Sequence, residues 1–310
     1  MNRRCPFVQP ATAAWFYGFL GVVSFSFTLP ATRLAVADLD SIFVGLGRAL
    51  VAALLAALLL TLTHQPYPSR SHIRSLLLVA AGVVIGFPLL SAWPLRYVPA
   101  NHGAIMLGLL PLATAIAGVL RAGDRPSRGF WVASSAGSAV VITFALLTGG
   151  GRLHTVDIAL LAAVVAAAFG YAEGGRVARE IGSWQVICWA LLVATPFLLI
   201  PVGFSVASGV HASVSAWIGF AYVSIVSMFL GFFAWYRGLA LGGVARIGQL
   251  QLLQPFFTLG ASAALLGEHI TPLTLVVAGL VAVIVALGRK ARIDHAPPIQ
   301  VTADGAPGTT

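Results

Sequence analysis

GLLPLATAIAGVLRAGD, residues Gly108–Asp124, and LLQPFFTLGASAALLGE, residues Leu252–Glu268, decide how this chain is put together. At a constant offset of 144, Leu109 matches Leu253, Pro111 matches Pro255 and Thr114 matches Thr258. Ala117 matches Ala261, Gly123 matches Gly267, and Asp124 matches Glu268. Chance matches are easy between apolar stretches, so the Pro, Thr and Gly-acid coincidences carry the weight. Upstream, Ala92-Trp93 echoes Ala234-Trp235 at an offset of 142, and a two-residue indel reconciles the two offsets. Self-similarity at this period marks a duplicated unit.

Composition says where such a unit can live. Of 310 residues only 9% are charged and 59% are hydrophobic. A soluble domain carries roughly 25% charge, so a soluble fold is excluded. Lys and Arg outnumber Asp and Glu by 18 to 9. In a chain this apolar the excess reports membrane orientation, not nucleic acid. Apolar runs broken by charge, Pro and Gly predict ten spans near 13–33, 40–63, 74–95, 99–120, 128–148, 156–175, 184–204, 214–236, 243–266 and 271–289. They lack the alternation of a membrane barrel. The expected fold is therefore all-α, a polytopic membrane protein. Arg3 and Arg4 ahead of the first run resemble a signal peptide, but further spans follow at once, which favours a signal anchor.

Loop charges set the orientation. With the N-terminus in the cytoplasm, the inside segments hold Arg3, Arg4, Arg70, Arg74, Arg121, Arg125, Arg128, Arg176, Arg179, Arg237, Arg246, Arg289, Lys290 and Arg292. The outside segments hold Arg33, Arg96 and Arg152, while Arg48 lies within a span. Both termini are thus expected in the cytoplasm. The repeat then divides the chain into five-helix halves, residues 1–150 and 151–290, with 291–310 as a Pro, Gly and Thr-rich tail expected to be disordered. Five is odd, so the second half enters the membrane inverted. Inverted repeats are a device of secondary transporters, which bind solute near the midplane between the halves.

At this point the chain resembles the EamA-type transporters of the drug/metabolite transporter superfamily, over about residues 13–289. The resemblance rests on the ten-span, two-repeat layout and on the Pro-centred fourth and ninth spans. It rests also on the steps Gly123-Asp124 and Gly267-Glu268 and on the Arg within GRALVAALLAALLL from Gly47. Asp124 stands where that family usually has Glu, and its shorter side chain leaves pairing with Arg121, Arg125 or Arg128 open. The resemblance implies export of small metabolites, often amino acids, or of toxic compounds, across a bacterial inner membrane. The alternatives are multidrug or toxic-cation efflux and a membrane-embedded enzyme acting on lipid-linked substrates. Against the latter, the commonest hydrolase signatures HExxH and GxSxG do not occur, and the absence of GxxxxGK[ST] removes an ATP-driven pump motif.

Residues that could carry function are few. Arg48 lies about eight residues into span 2, roughly 12 Å deep at 1.5 Å per residue. A charge there is costly unless paired or facing water. It either meets an anion in a central cavity or snorkels outward. Glu173, near the cytoplasmic end of span 6, either pairs with Arg176 three residues on or exchanges protons to couple transport. Gln249 and Gln254 lie in span 9, and Pro111 and Pro255 mark kinks at matching depth, either flanking substrate or packing helices. Trp93, Trp235 and Tyr236 lie towards span ends, where an aromatic belt is the ordinary reading. The alternative is an aromatic wall for substrate, with Tyr171 joining it. His102 is interfacial or a proton relay. No cofactor or metal is expected, since Cys5 and Cys188 are too few and the His residues are scattered. The expected partners are a small-molecule substrate and the lipid bilayer, with no nucleic acid, in a monomer or homodimer.

Overall fold

A long apolar segment can keep its backbone polar groups from lipid only by bonding them within itself, so such segments become helices. The computed structural model describes residues 10–148, 154–207, 212–288 and 293–295. Seven helices in it are long and apolar enough to cross a membrane. They are α1 (Thr12–Ala35), α2 (Phe43–Leu62), α3 (Arg70–Arg96), α4 (Ala100–Ala122), α6 (Thr155–Ile181), α7 (Ser183–Val206) and α8 (Val214–Gly242). The three other stretches expected to span are helical as well: α5 (Arg128–Thr148), α9 (residues 244–266) and α10 (Pro272–Gly288). Of the tail, Ile293–His295 forms a short antiparallel pair with Asp124–Pro126; its other residues, like Arg3, Arg4 and Cys5, lie outside the described residues.

The repeat first read in the sequence is visible in the backbone. In α4 a 3₁₀ turn at Leu107–Leu109 precedes Leu110–Ala122, which has Pro111 in its first turn. In α9 a 3₁₀ turn at Gln249–Leu253 precedes Gln254–Leu266, with Pro255 in its first turn. Proline is at home there, where its missing N–H would have no helical acceptor. Each helix ends on a left-handed glycine, Gly123 at φ 70° and Gly267 at φ 64°, the ordinary C-terminal stop. α3 and α8 share a second irregularity, π-helical turns at Ala80–Gly86 and Tyr222–Leu230.

Between helices, lipid-like surroundings remove the hydrophobic driving force, so small residues let backbones approach closely. A methyl on Gly82 would stand 2.5 Å from the Ala166 carbonyl oxygen, and one on Gly238 would stand 2.7 Å from the Gly18 nitrogen. These glycines seat α3 on α6 and α8 on α1. Interhelical hydrogen bonds add to this: Thr258 Oγ1 donates to the Ser26 carbonyl at 2.8 Å, and the Tyr222 hydroxyl to that of Ser24 at 3.0 Å. Each such bond is worth about 0.6 kcal/mol on average in a membrane.

Candidate functional site

Arg48 forms the first turn after a π-helical segment in α2, Phe43–Gly47. It is 1% exposed. Neither Nε nor Nη2 has a hydrogen-bond partner, and no carboxylate among the described residues pairs with it. An isolated buried guanidinium costs several kcal/mol. Such a group persists where something else meets it. It borders a cavity between the halves, lined by Phe25 and Thr28 of α1, Val83 and Phe87 of α3, and Tyr171 of α6. Ser227, Met228 and Phe232 of α8 and Gln254 of α9 complete the lining.

The walls divide by chemistry. Phe25 stacks on Tyr171 at 6.1 Å between ring centroids and meets Phe232 at 5.0 Å. The aromatic side is thus already packed together. Opposing it are polar groups: Thr28 and Ser227 hydroxyls bonded at 2.8 Å, the guanidinium, and the Gln254 amide, whose Oε1 has no partner. Donors on Arg48 and an acceptor on Gln254 therefore face one space. The room available to the centre of a water molecule there is about 20 Å³, enough for a water or so. A solute requires the helices to part.

The other sequence candidates are placed as follows. Tyr171 and Gln254 join Arg48 at the cavity. Trp235 and Tyr236 are fully buried, so neither sits in a headgroup belt. Trp235 packs edge-on against Tyr171 at 5.4 Å, behind the aromatic wall. The Tyr236 hydroxyl donates to the Gly170 carbonyl at 3.1 Å, with its ring lying over Gly174. Trp93 is partly exposed near the end of α3, edge-on to Tyr97 at 5.7 Å, away from the cavity. Gln249 is buried with both amide atoms unpartnered, yet does not line the cavity. Between them Gln251 accepts from Thr114 Oγ1 at 3.1 Å, tying α9 to α4.

Glu173 is fully buried, and each of its oxygens is held by an arginine: Oε2 by Arg121 Nε and Oε1 by Arg176 Nη2, both at 2.8 Å. This geometry joins α4 to α6 and favours the ion-pair alternative over a free proton carrier. His102 Nε2 lies 2.7 Å from Asp157 Oδ1, while Asp157 Oδ2 accepts from the His154 backbone N–H at 2.9 Å. Thr28, Ser227, Phe25 and Phe232 carry no charge or motif to single them out in an apolar sequence. Only their placement reveals them.

Comparison with known proteins adds to this geometry. A solved crystal structure shares the fold with TM-score 0.66 at 14% identity, covering 89% of this chain and 97% of its own. The protein named Uncharacterized transporter YdeK of Bacillus subtilis (strain 168) is 49% identical over 265 residues, which is 85% of this chain and 92% of that protein. The Probable terminal-alkyne amino-acid exporter of Streptantibioticus cattleyicolor is 27% identical over 262 residues, 83% and 86% of the two chains. The model of the EamA-like transporter family matches twice, over residues 12–147 and 154–288. With nearly its whole helical length so matched, the chain belongs to the EamA-like transporter family, and through it to the drug/metabolite transporter superfamily.

Proposed function

We propose that the chain is a secondary transporter of the bacterial inner membrane that exports a small carboxylate-bearing solute, an amino acid or a close relative, by alternating access. Ten helices cross the bilayer in two inverted repeats of five, with both termini in the cytoplasm. The double family match and the recurrence of the 3₁₀–Pro–helix–Gly unit support the repeats.

One observation carries the substrate class: Arg48 is buried at a cavity between the halves, with Nε and Nη2 unspent and no acid among the described residues to neutralise it. A carboxylate entering that space supplies the missing charge and accepts from the guanidinium. The free Oε1 of Gln254 and the faces of Phe25, Tyr171 and Phe232 suit the ammonium end of the same molecule. An uncompensated cation in the cavity repels purely cationic drugs, which disfavours toxic-cation efflux. The name of the Streptantibioticus relative, an amino-acid exporter, agrees in class. Glu173, held by two arginines, leaves no obvious proton carrier at the cavity, so the solute's own gradient is a sufficient driving force.

The test is flux in proteoliposomes. Labelled amino acids and organic cations are offered with and without an imposed pH gradient. Zwitterionic or anionic amino acids should move and cations should not. Movement of cations with no amino-acid flux sinks the carboxylate assignment.

A further inference from the structure

The two acids of the Gly-acid steps do the same thing at opposite ends of the molecule. Asp124, after α4, accepts from the backbone N–H of Ala245 at the start of α9, at 2.7 Å. Glu268, after α9, accepts from the backbone N–H groups of Ala100 and Asn101 at the start of α4, at 2.8 and 2.9 Å. Asn101 and Ala245 are themselves related by the offset of 144. Each half thus caps the first turn of the other half's Pro-containing helix, where free N–H groups and the helix dipole favour a carboxylate.

What is capped is the tip of a jointed hairpin. α3 and α4 form one hairpin, and its tip is the short turn before Ala100. α8 and α9 form the other, and its tip lies at Gly243. Both arms of both hairpins are irregular at mid-length. The π turns Ala80–Gly86 and Tyr222–Leu230 interrupt α3 and α8, and the 3₁₀ turns before Pro111 and Pro255 interrupt α4 and α9. Such interruptions are where helices bend. Val83, Ser227 and Gln254, at or beside them, line the cavity. Swinging the outer half of a hairpin about these joints would open the cavity to one face, and the carboxylate at the tip is one contact that holds it, beside Arg33 on the Leu95 carbonyl and Asn101 Nδ2 on the His269 carbonyl at the α3–α4 tip. With both carboxylates engaged, the cavity has room for about one water.

We propose that Glu268 and Asp124 are paired latches, one on each membrane face, and that releasing one opens the cavity to that face alone. This rests on the alternating-access reading above. The observed state, both latched, is the closed intermediate. Opening at the Glu268 face frees the α3–α4 tip, and opening at the Asp124 face frees the α8–α9 tip.

Sided thiol labelling tests it without any substrate. Ser227→Cys is placed in a chain carrying Cys5→Ser and Cys188→Ala and reconstituted in vesicles. Orientation is fixed by labelling a companion chain with Tyr67→Cys, which lies in the exposed loop on the Asp124 face. A membrane-impermeant maleimide is then applied from each side. Glu268→Gln should raise labelling from the Glu268 face about tenfold and leave the other face unchanged. Asp124→Asn should do the reverse. If Glu268→Gln yields no monodisperse protein, Glu268→Asp replaces it, keeping the charge but too short to reach both amides. Labelling that rises from the same face in both variants, or from neither in folded protein, overturns the latches and makes the acids static caps. Flux is read in the chain with Ser227 intact, so sided labelling with no amino-acid flux there keeps the latches and rejects the carboxylate-solute assignment alone.

Discussion

α4 and α9 have nearly the same backbone and quite different side chains. Both run through a 3₁₀ turn, a first-turn proline and thirteen helical residues to a left-handed glycine. At the matched positions, however, α4 carries Ile105, Leu107 and Leu110 where α9 carries Gln249, Gln251 and Gln254. The charge is one-sided too. Arg48 sits in α2 of the first half, and α7 of the second half holds no charged residue between Ser183 and Val206. Movement between two mirrored states needs a symmetric frame, whereas grasping one asymmetric molecule does not. The frame here is duplicated and the chemistry is not.

Five substitutions press on that contrast. Arg48→Met removes the charge that only the first half supplies, and amino-acid flux in proteoliposomes should fall by about 10- to 100-fold, the worth of hydrogen bonds to a charged group at ~1.5–3 kcal/mol. Flux within twofold of the parent would remove Arg48 from the site. Leu110→Gln gives α4 the residue of α9 in a buried position. An amide without partners there should cost about 1–3 kcal/mol, read as a lower melting temperature in detergent. An unchanged melting temperature would mean that α4 also borders a polar space.

Gln254→Leu does the converse. Flux should drop by a few-fold to about tenfold, as for a neutral hydrogen bond of ~0.5–1.5 kcal/mol, while thermal stability holds or rises because an unpartnered buried amide is gone. A loss of stability with full flux would recast Gln254 as packing. Last, Gly123→Ala and Gly267→Ala should each lower stability by about 1 kcal/mol through the left-handed backbone, and by equal amounts. A clearly unequal pair would show that the frame is less symmetric than its dihedral angles.

Much of the frame was legible from residues alone because its signals are covalent and local. Pro111 and Pro255 mark breaks in their spans, and Gly123 and Gly267 mark the steps where each helix stops. Apolar length dictates helix. Seven of the ten expected spans meet the length and composition of a membrane crossing. The cavity was legible only where it breaks the apolar rule, at Arg48 and Gln254. Trp235 and Tyr236 mislead because an aromatic near a span end serves a belt and a core equally well in sequence. Only the glycines opposite them, Gly21 and Gly174, make room for burial. Asp124 and Glu268 announced a repeat but not their partners. Those partners are backbone N–H groups more than a hundred residues away, and a backbone amide has no letter in the sequence.

That last point bears on how such proteins change over time. A carboxylate that grips a main-chain amide is indifferent to the side chain attached. The grip itself does not read the side chains at 100, 101 and 245, and proline at any of the three would remove an N–H; at 100 and 245 burial of the alanine limits size independently of the grip. The cavity lining can drift towards a new cargo without disturbing the fastening at either end. One mechanical design can so be inherited intact while its specificity is rewritten.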